Sequence, residues 1–137
     1  MTVSDFLLAA NGVTLTCSAA DVGDTGEVGG ITYTKRSKAQ VDALVDGGDY
    51  APLAATCTSG ITDMAVMFTE KSSFNQDIGL RDVSIVTNMG SMFRNATAFN
   101  QNLSGWCVSL ITSAPTRFES GASSWALARP VWGTCPT

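Results

Sequence analysis

Residues 62 to 86 laid over residues 87 to 111 agree at nine of 25 positions: Thr62/Thr87, Met64/Met89, Met67/Met92, Phe68/Phe93, Phe74/Phe99, Asn75/Asn100, Gln76/Gln101, Val83/Val108 and Ser84/Ser109. Ordinary residue frequencies supply roughly one or two such matches by chance. The pairs Asp63/Asn88, Asp77/Asn102, Ile78/Leu103, Ile85/Leu110 and Val86/Ile111 keep size or polarity in the same register. A third copy opens with Thr112 and Phe118 and then loses the pattern, interrupted by Pro115 and Gly121, as a terminal repeat does. No other feature constrains the chain as much. One unit cannot bury its own apolar residues, so neighbouring copies must stack around a shared core.

Within each copy, Ile61, Met64, Met67 and Phe68, then Val86, Met89, Met92 and Phe93, fall at the spacing of one helical face. A short helix is predicted there, capped by Thr62 or Thr87. Phe74 to Ile78 and Phe99 to Leu103 alternate with period two and predict a short strand. Each copy thus reads as one strand and one helix, an α/β solenoid. Its repeat core is Met64, Met67, Phe68, Phe74, Met89, Met92, Phe93 and Phe99. Asn75/Asn100 and Gln76/Gln101 read first as stacked amide ladders; exposed amides can also bind sugar hydroxyls.

Three parts follow. Residues 1–56 read as an N-terminal cap of strands plus one short helix: a strand over Val13–Cys17, a Gly29-Gly30 turn into Ile31–Thr34, and a helix after Ser37 ended by Gly47-Gly48. Residues 57–111 hold the two good repeats, and 112–137 a degenerate repeat with a C-terminal cap.

Cys17, Cys57, Cys107 and Cys135 are spaced 40, 50 and 28 residues apart, which matches no metal or redox motif. Disulfides are the better reading, against four buried free thiols. Of the three possible pairings, the division into two early and two late cysteines favours Cys17 with Cys57 and Cys107 with Cys135. Such bonds indicate an extracellular or particle-surface setting. The N-terminus has no basic n-region, and its apolar run is shorter than a signal-peptide core. We therefore expect either a removed leader or release without one, as from a virus by lysis.

The chain has no histidine, so the commonest general base and zinc ligand are missing and no catalytic residue is assigned. Charged residues make up 15% and the net charge is −4, which speaks against nucleic-acid binding. No run approaches the roughly 20 apolar residues of a membrane span, so membrane insertion is not expected. Asp21, Asp24 and Glu27 depart from a calcium-loop spacing and read as a solvated acidic turn; no metal ligand is assigned. Gly23, Gly26 and Gly29 lack the following Gly-Lys-Ser/Thr of a P-loop, and no cofactor is expected. Asn95-Ala-Thr97 and Asn102-Leu-Ser104 are glycosylation sequons, which matter only in a glycosylating host.

The motif TDMxxMFxxxxxFNQDIxxxDVSxVTNMxxMFxxAxxFNQ resembles the BspA-like leucine-rich repeat surface proteins, including their Mycoplasma lipoprotein-like 25-residue repeat class. The likeness is strong over residues 57 to about 112. Pro-Val-Trp-Gly-Thr-Cys-Pro136 resembles a family ending, and the segments before Cys17 and Ser37 resemble the lead-in of secreted members. The resemblance implies a short leucine-rich-type β/α solenoid with N- and C-terminal caps, here disulfide-stapled, and a non-enzymatic surface protein for adhesion or protein recognition. Three departures stand out. Leu80-Arg81-Asp82-Val83-Ser84 has arginine where a tryptophan is expected, though Trp106 keeps it in the next copy. The array is short, and no leader is read.

Positions that differ between copies are those stacking does not dictate. Among them Glu70, Lys71, Arg81, Arg94 and Trp106 form the candidate binding face. The expected partner is a protein or glycan on a cell or particle surface, with homo-oligomerisation possible. The alternative is a structural subunit of a virion or extracellular appendage, a decoration or assembly protein that self-associates; localisation is then the virion rather than the cell surface.

Overall fold

The computed structural model describes residues 5–9 and 14–136. The readings made on Met1 to Ser4, on Ala10 to Val13 and on Thr137 lie outside the described residues. Two short strands, β1 (Leu7–Leu8) and β2 (Leu15–Thr16), pair antiparallel. Next, β3 (Thr25–Val28) turns back into β4 (Ile31–Lys35) through Gly29 and Gly30. Both glycines sit at positive φ, 61° and 85°, where a side chain is disfavoured and a tight hairpin turn is readily made.

Ser37 starts helix α1 (Lys38–Asp46) with a reciprocal cap: its Oγ accepts the Gln40 amide, and Gln40 Oε1 accepts the Ser37 amide. Val41 and Val45 form the buried stripe of α1, and Gly47 ends it. A short 3-10 turn, Ala51–Ala55, buries Leu53 and leads into β5 (Thr56–Cys57), which runs parallel to β4. Disulfides join Cys17 to Cys57 and Cys107 to Cys135.

The β/α solenoid of leucine-rich type is not what this chain forms. Its regular structure is two small sheets and one helix, all within residues 7–57; beyond β5 no helix or strand is found among the described residues, apart from an isolated parallel bridge between Asp63 and Asn88. Each predicted repeat helix is a pair of tight turns. Val66 and Glu70 in the first copy, and Ser91 and Asn95 in the second, adopt positive φ of 54° to 64°, which no helix tolerates. Their amides bond sideways to the next copy: Val66 to Gly90 at 3.0 Å, Phe68 to Met92 at 2.9 Å, Glu70 to Arg94 at 2.8 Å, then Ser91 to Thr116, Phe93 to Phe118 and Asn95 to Ser120 at 2.7 to 2.9 Å. The predicted strands pair with nothing as strands: 74–78 and 99–103 are irregular segments, each running into a turn whose amide Asp77 or Asn102 accepts two residues ahead.

One core runs from Val41, Val45 and Leu53 through both copies to Phe118 and Trp125, and holds all eight Met and Phe repeat positions. Phe74 and Phe99 are parallel, 5.5 Å apart, and Phe68 and Phe93 repeat this at 5.3 Å. Edge-on rings close the column, Tyr50 against Phe74 at one end and Trp125 against Phe99 at the other. A second, smaller core gathers Phe6, Leu15, Cys17, Ala20, Tyr33 and Cys57 beneath the hairpin.

Candidate functional site

The five candidate face residues separate into three settings. Glu70 and Arg94 meet on an exposed edge: Arg94 Nη1 lies 3.5 Å from Glu70 Oε1, and Asn95 Nδ2 donates to that oxygen at 2.7 Å. Lys71 turns towards α1 and pairs with Asp46 at 3.4 Å. Arg81 and Trp106 do not belong to an exposed face. They are 4% and 1% exposed, because their shared repeat position points into the column.

Arg81 is held by the N-terminal region. Its Nη1 donates to the carbonyls of Leu53, at 2.7 Å, and Thr56, and its guanidinium lies 5.6 Å from the Tyr33 ring centroid. Burial pulls its pKa below the ordinary value, opposed by Tyr33 and by the Asp77 carboxylate. Among the described residues Nε has no hydrogen-bond partner. Asp82 is also buried and bridges to the same region: Ser59 Oγ donates to Oδ2 at 2.6 Å, while the Ser84 amide and hydroxyl donate to Oδ1. Sequence reasoning missed this buried Arg81-Asp82 clamp, although the arginine in a tryptophan position was its visible sign.

The amide ladder runs through backbone groups. The Asn100 amide donates to Asn75 Oδ1 at 2.7 Å, Gln101 Nε2 donates to the Asn75 carbonyl at 2.9 Å, and Asn100 Oδ1 in turn accepts from the amides of Ala126 and Leu127. In the acidic turn, Asp24 Oδ2 accepts the Asp21 amide and Glu27 lies within β3. Among the described residues, no three His, Cys, Asp or Glu side chains gather to hold a metal, and no helix is long and apolar enough to cross a membrane. Of the sequon asparagines, Asn95 is half-buried against Glu70, and Asn102 is exposed.

One concave feature crosses the copies. A groove of about 360 Å³ is lined by Asp77, Gly79 and Leu80 of the first, Gln101, Asn102, Ser104 and Gly105 of the second, and Leu127 beyond. The copies approach closely at Gly79: a Cβ there would lie 2.9 Å from the Asn102 carbonyl oxygen.

No curated protein and no solved structure matches the chain. The family described as "Mycoplasma protein of unknown function, DUF285" matches residues 49–131. That span begins at the turn carrying Leu53, takes in the aromatic column and ends past Trp125, over more than half of the sequence, and the chain therefore belongs to the DUF285 family.

Proposed function

We propose that this chain is a non-enzymatic recognition module of a surface protein, extracellular or on a cell surface, that engages a protein or glycan partner. The observation that carries the reading is how the copies divide their residues. Met64/Met89, Met67/Met92, Phe68/Phe93 and Phe74/Phe99, identical between copies, are buried, whereas Glu70 and Arg94, which have no identical counterpart, stand exposed along one edge. Both disulfides support it, since such bonds persist in oxidising surroundings. The resemblance to BspA-like surface proteins and membership of DUF285 point the same way. Beads coated with the purified, oxidised chain are expected to adhere to intact cell surfaces, and Glu70→Ala with Arg94→Ala to weaken that adhesion. Adhesion no better than that of beads carrying the reduced and alkylated chain contradicts the reading.

A second reading, a self-associating structural subunit of a virion or appendage, is favoured by one observation. Ile85 and Leu110, at equivalent positions, are 45% and 54% exposed, and Leu127 and Val131 are also exposed, so that a second copy has apolar surface to cover. Light scattering on the purified chain tests it: a dimer or larger species supports assembly, and a monomer at all concentrations removes it.

A further inference from the structure

We propose that the groove lined by Asp77, Leu80, Gln101, Asn102, Ser104 and Leu127 binds a neutral sugar ring of a surface glycan; this rests on the recognition reading and names its ligand. The groove carries unused hydrogen-bonding capacity. Asp77 Oδ1 accepts the Gly79 amide at 2.9 Å, and Oδ2 has no protein partner among the described residues. Asn102 Oδ1 accepts the Ser104 amide and hydroxyl at 2.9 and 2.7 Å, leaving both Nδ2 protons. Gln101 donates Nε2 to Asn75, leaving Oε1. Ser104 gives its proton to Asn102 and keeps its lone pairs.

Each side chain is therefore fixed at one end and free at the other, which lowers the ordering cost of binding. The free ends are three kinds of acceptor and one kind of donor. A ring hydroxyl, which both donates and accepts, satisfies such a set; an anion finds no cation in the lining, and a divalent cation finds a single carboxylate. Leu80 and Leu127 provide apolar contact for the C–H faces of the ring. At about 360 Å³ the groove falls in the range of small-ligand pockets, roughly 300 to 1,000 Å³.

The repeat supplies conservative variants. Asp77→Asn converts the first copy's residue into the second's, and Asn102→Asp does the reverse; both keep the Oδ1 acceptor that holds the turn. The test is to titrate the full oxidised chain with methyl glycosides of glucose, galactose, mannose and N-acetylglucosamine, followed by amide NMR shifts. We expect at least one glycoside to shift amides at 77–80, 101–105 and 127, with a dissociation constant on the order of 1 mM for one ring. Each variant should weaken it about tenfold, the loss of one charge-assisted or amide hydrogen bond, while Ala39→Ser, on the exposed face of α1, leaves it unchanged. Shifts confined to other surfaces, no shifts with any glycoside, or variants that bind as well as the parent overturn the proposal. If the coated beads still adhere to cells while the groove stays silent, only the groove assignment fails; if adhesion is also absent, the recognition reading fails with it.

Discussion

The guanidinium of Arg81 donates to the carbonyl of Leu53 at 2.7 Å, a step of 28 residues back along the chain. Trp106, one repeat later, makes the same step: its indole Nε1 donates to the Ile78 carbonyl at 3.0 Å. Leu53 therefore stands to the first copy as Ile78 stands to the second, and the turn preceding β5 serves as a partial copy on which the first one rests. The missing tryptophan is replaced by a donor rather than lost.

From this equivalence, Arg81→Met is expected to destabilise the fold by about 1 to 3 kcal/mol, because the Leu53 and Thr56 carbonyls lose a buried donor. Arg81→Trp, which retains a donor in a position that already accepts tryptophan one repeat later, should stay close to the parent and restores the aromatic rung. Urea unfolding under oxidising conditions measures both; equal losses for the two variants would mean that the donor is not what matters.

Phe74 and Phe99 are buried and parallel. Either replaced by alanine should lose about 3 to 5 kcal/mol through lost burial and the cavity left behind. Because each ring packs on the other, a double-mutant cycle should return a coupling of about 0.5 to 1.5 kcal/mol. Additive losses would mean that the rings do not touch in solution.

Val66 holds a φ of 56° while 60% exposed, a conformation that β-branched residues resist. Its amide is needed for the bond to Gly90, so the copies hold it there. Val66→Asn should raise stability by about 0.5 to 1 kcal/mol, since asparagine accepts the left-handed region and no buried contact is lost. A lower urea midpoint for the variant contradicts this backbone assignment.

The two disulfides differ in access. Cys17 and Cys57 are fully buried, whereas Cys135 is exposed. On limited treatment with dithiothreitol, alkylation followed by mass spectrometry should show Cys107 and Cys135 labelled well before Cys17 and Cys57. Loop closures of 40 and 28 residues predict losses of about 4 and about 3.5 kcal/mol when each bridge is removed. Simultaneous labelling would show that the buried bridge opens as readily as the exposed one.

Much of this was legible in the sequence, and the part that was not has a physical cause. Ser37 with Gln40 three residues on is a capping signal, and α1 follows it; the alternation and double glycine before Ile31 mark the hairpin. Cysteine placement gave the pairing that the disulfides have. Apolar residues at i, i+3, i+6 and i+7 predict a helix in each copy, but the same spacing also arises from tandem tight turns. The signal against a helix is present in Asn88-Met-Gly90, and that against a continuing strand in Asp77-Ile-Gly79, where a short polar side chain precedes glycine by two and can accept its amide. Arg81, like Trp106, is read as surface because their shared position differs between the copies, yet a position that varies in identity can still point into the column. Only registering Leu53 with Ile78 and Leu103 reveals that the Arg81 donor has carbonyls to meet.

Residues 62–120, with almost no regular secondary structure, are held by amide bonds running from each copy to the next. Amide hydrogen exchange followed by NMR tests this most directly. Phe68, Glu70, Phe93 and Asn95 should exchange slowly, with protection approaching that of the α1 interior. If these amides exchange at the rate of an unstructured chain while α1 stays protected, the copies are not bonded to one another and the account fails.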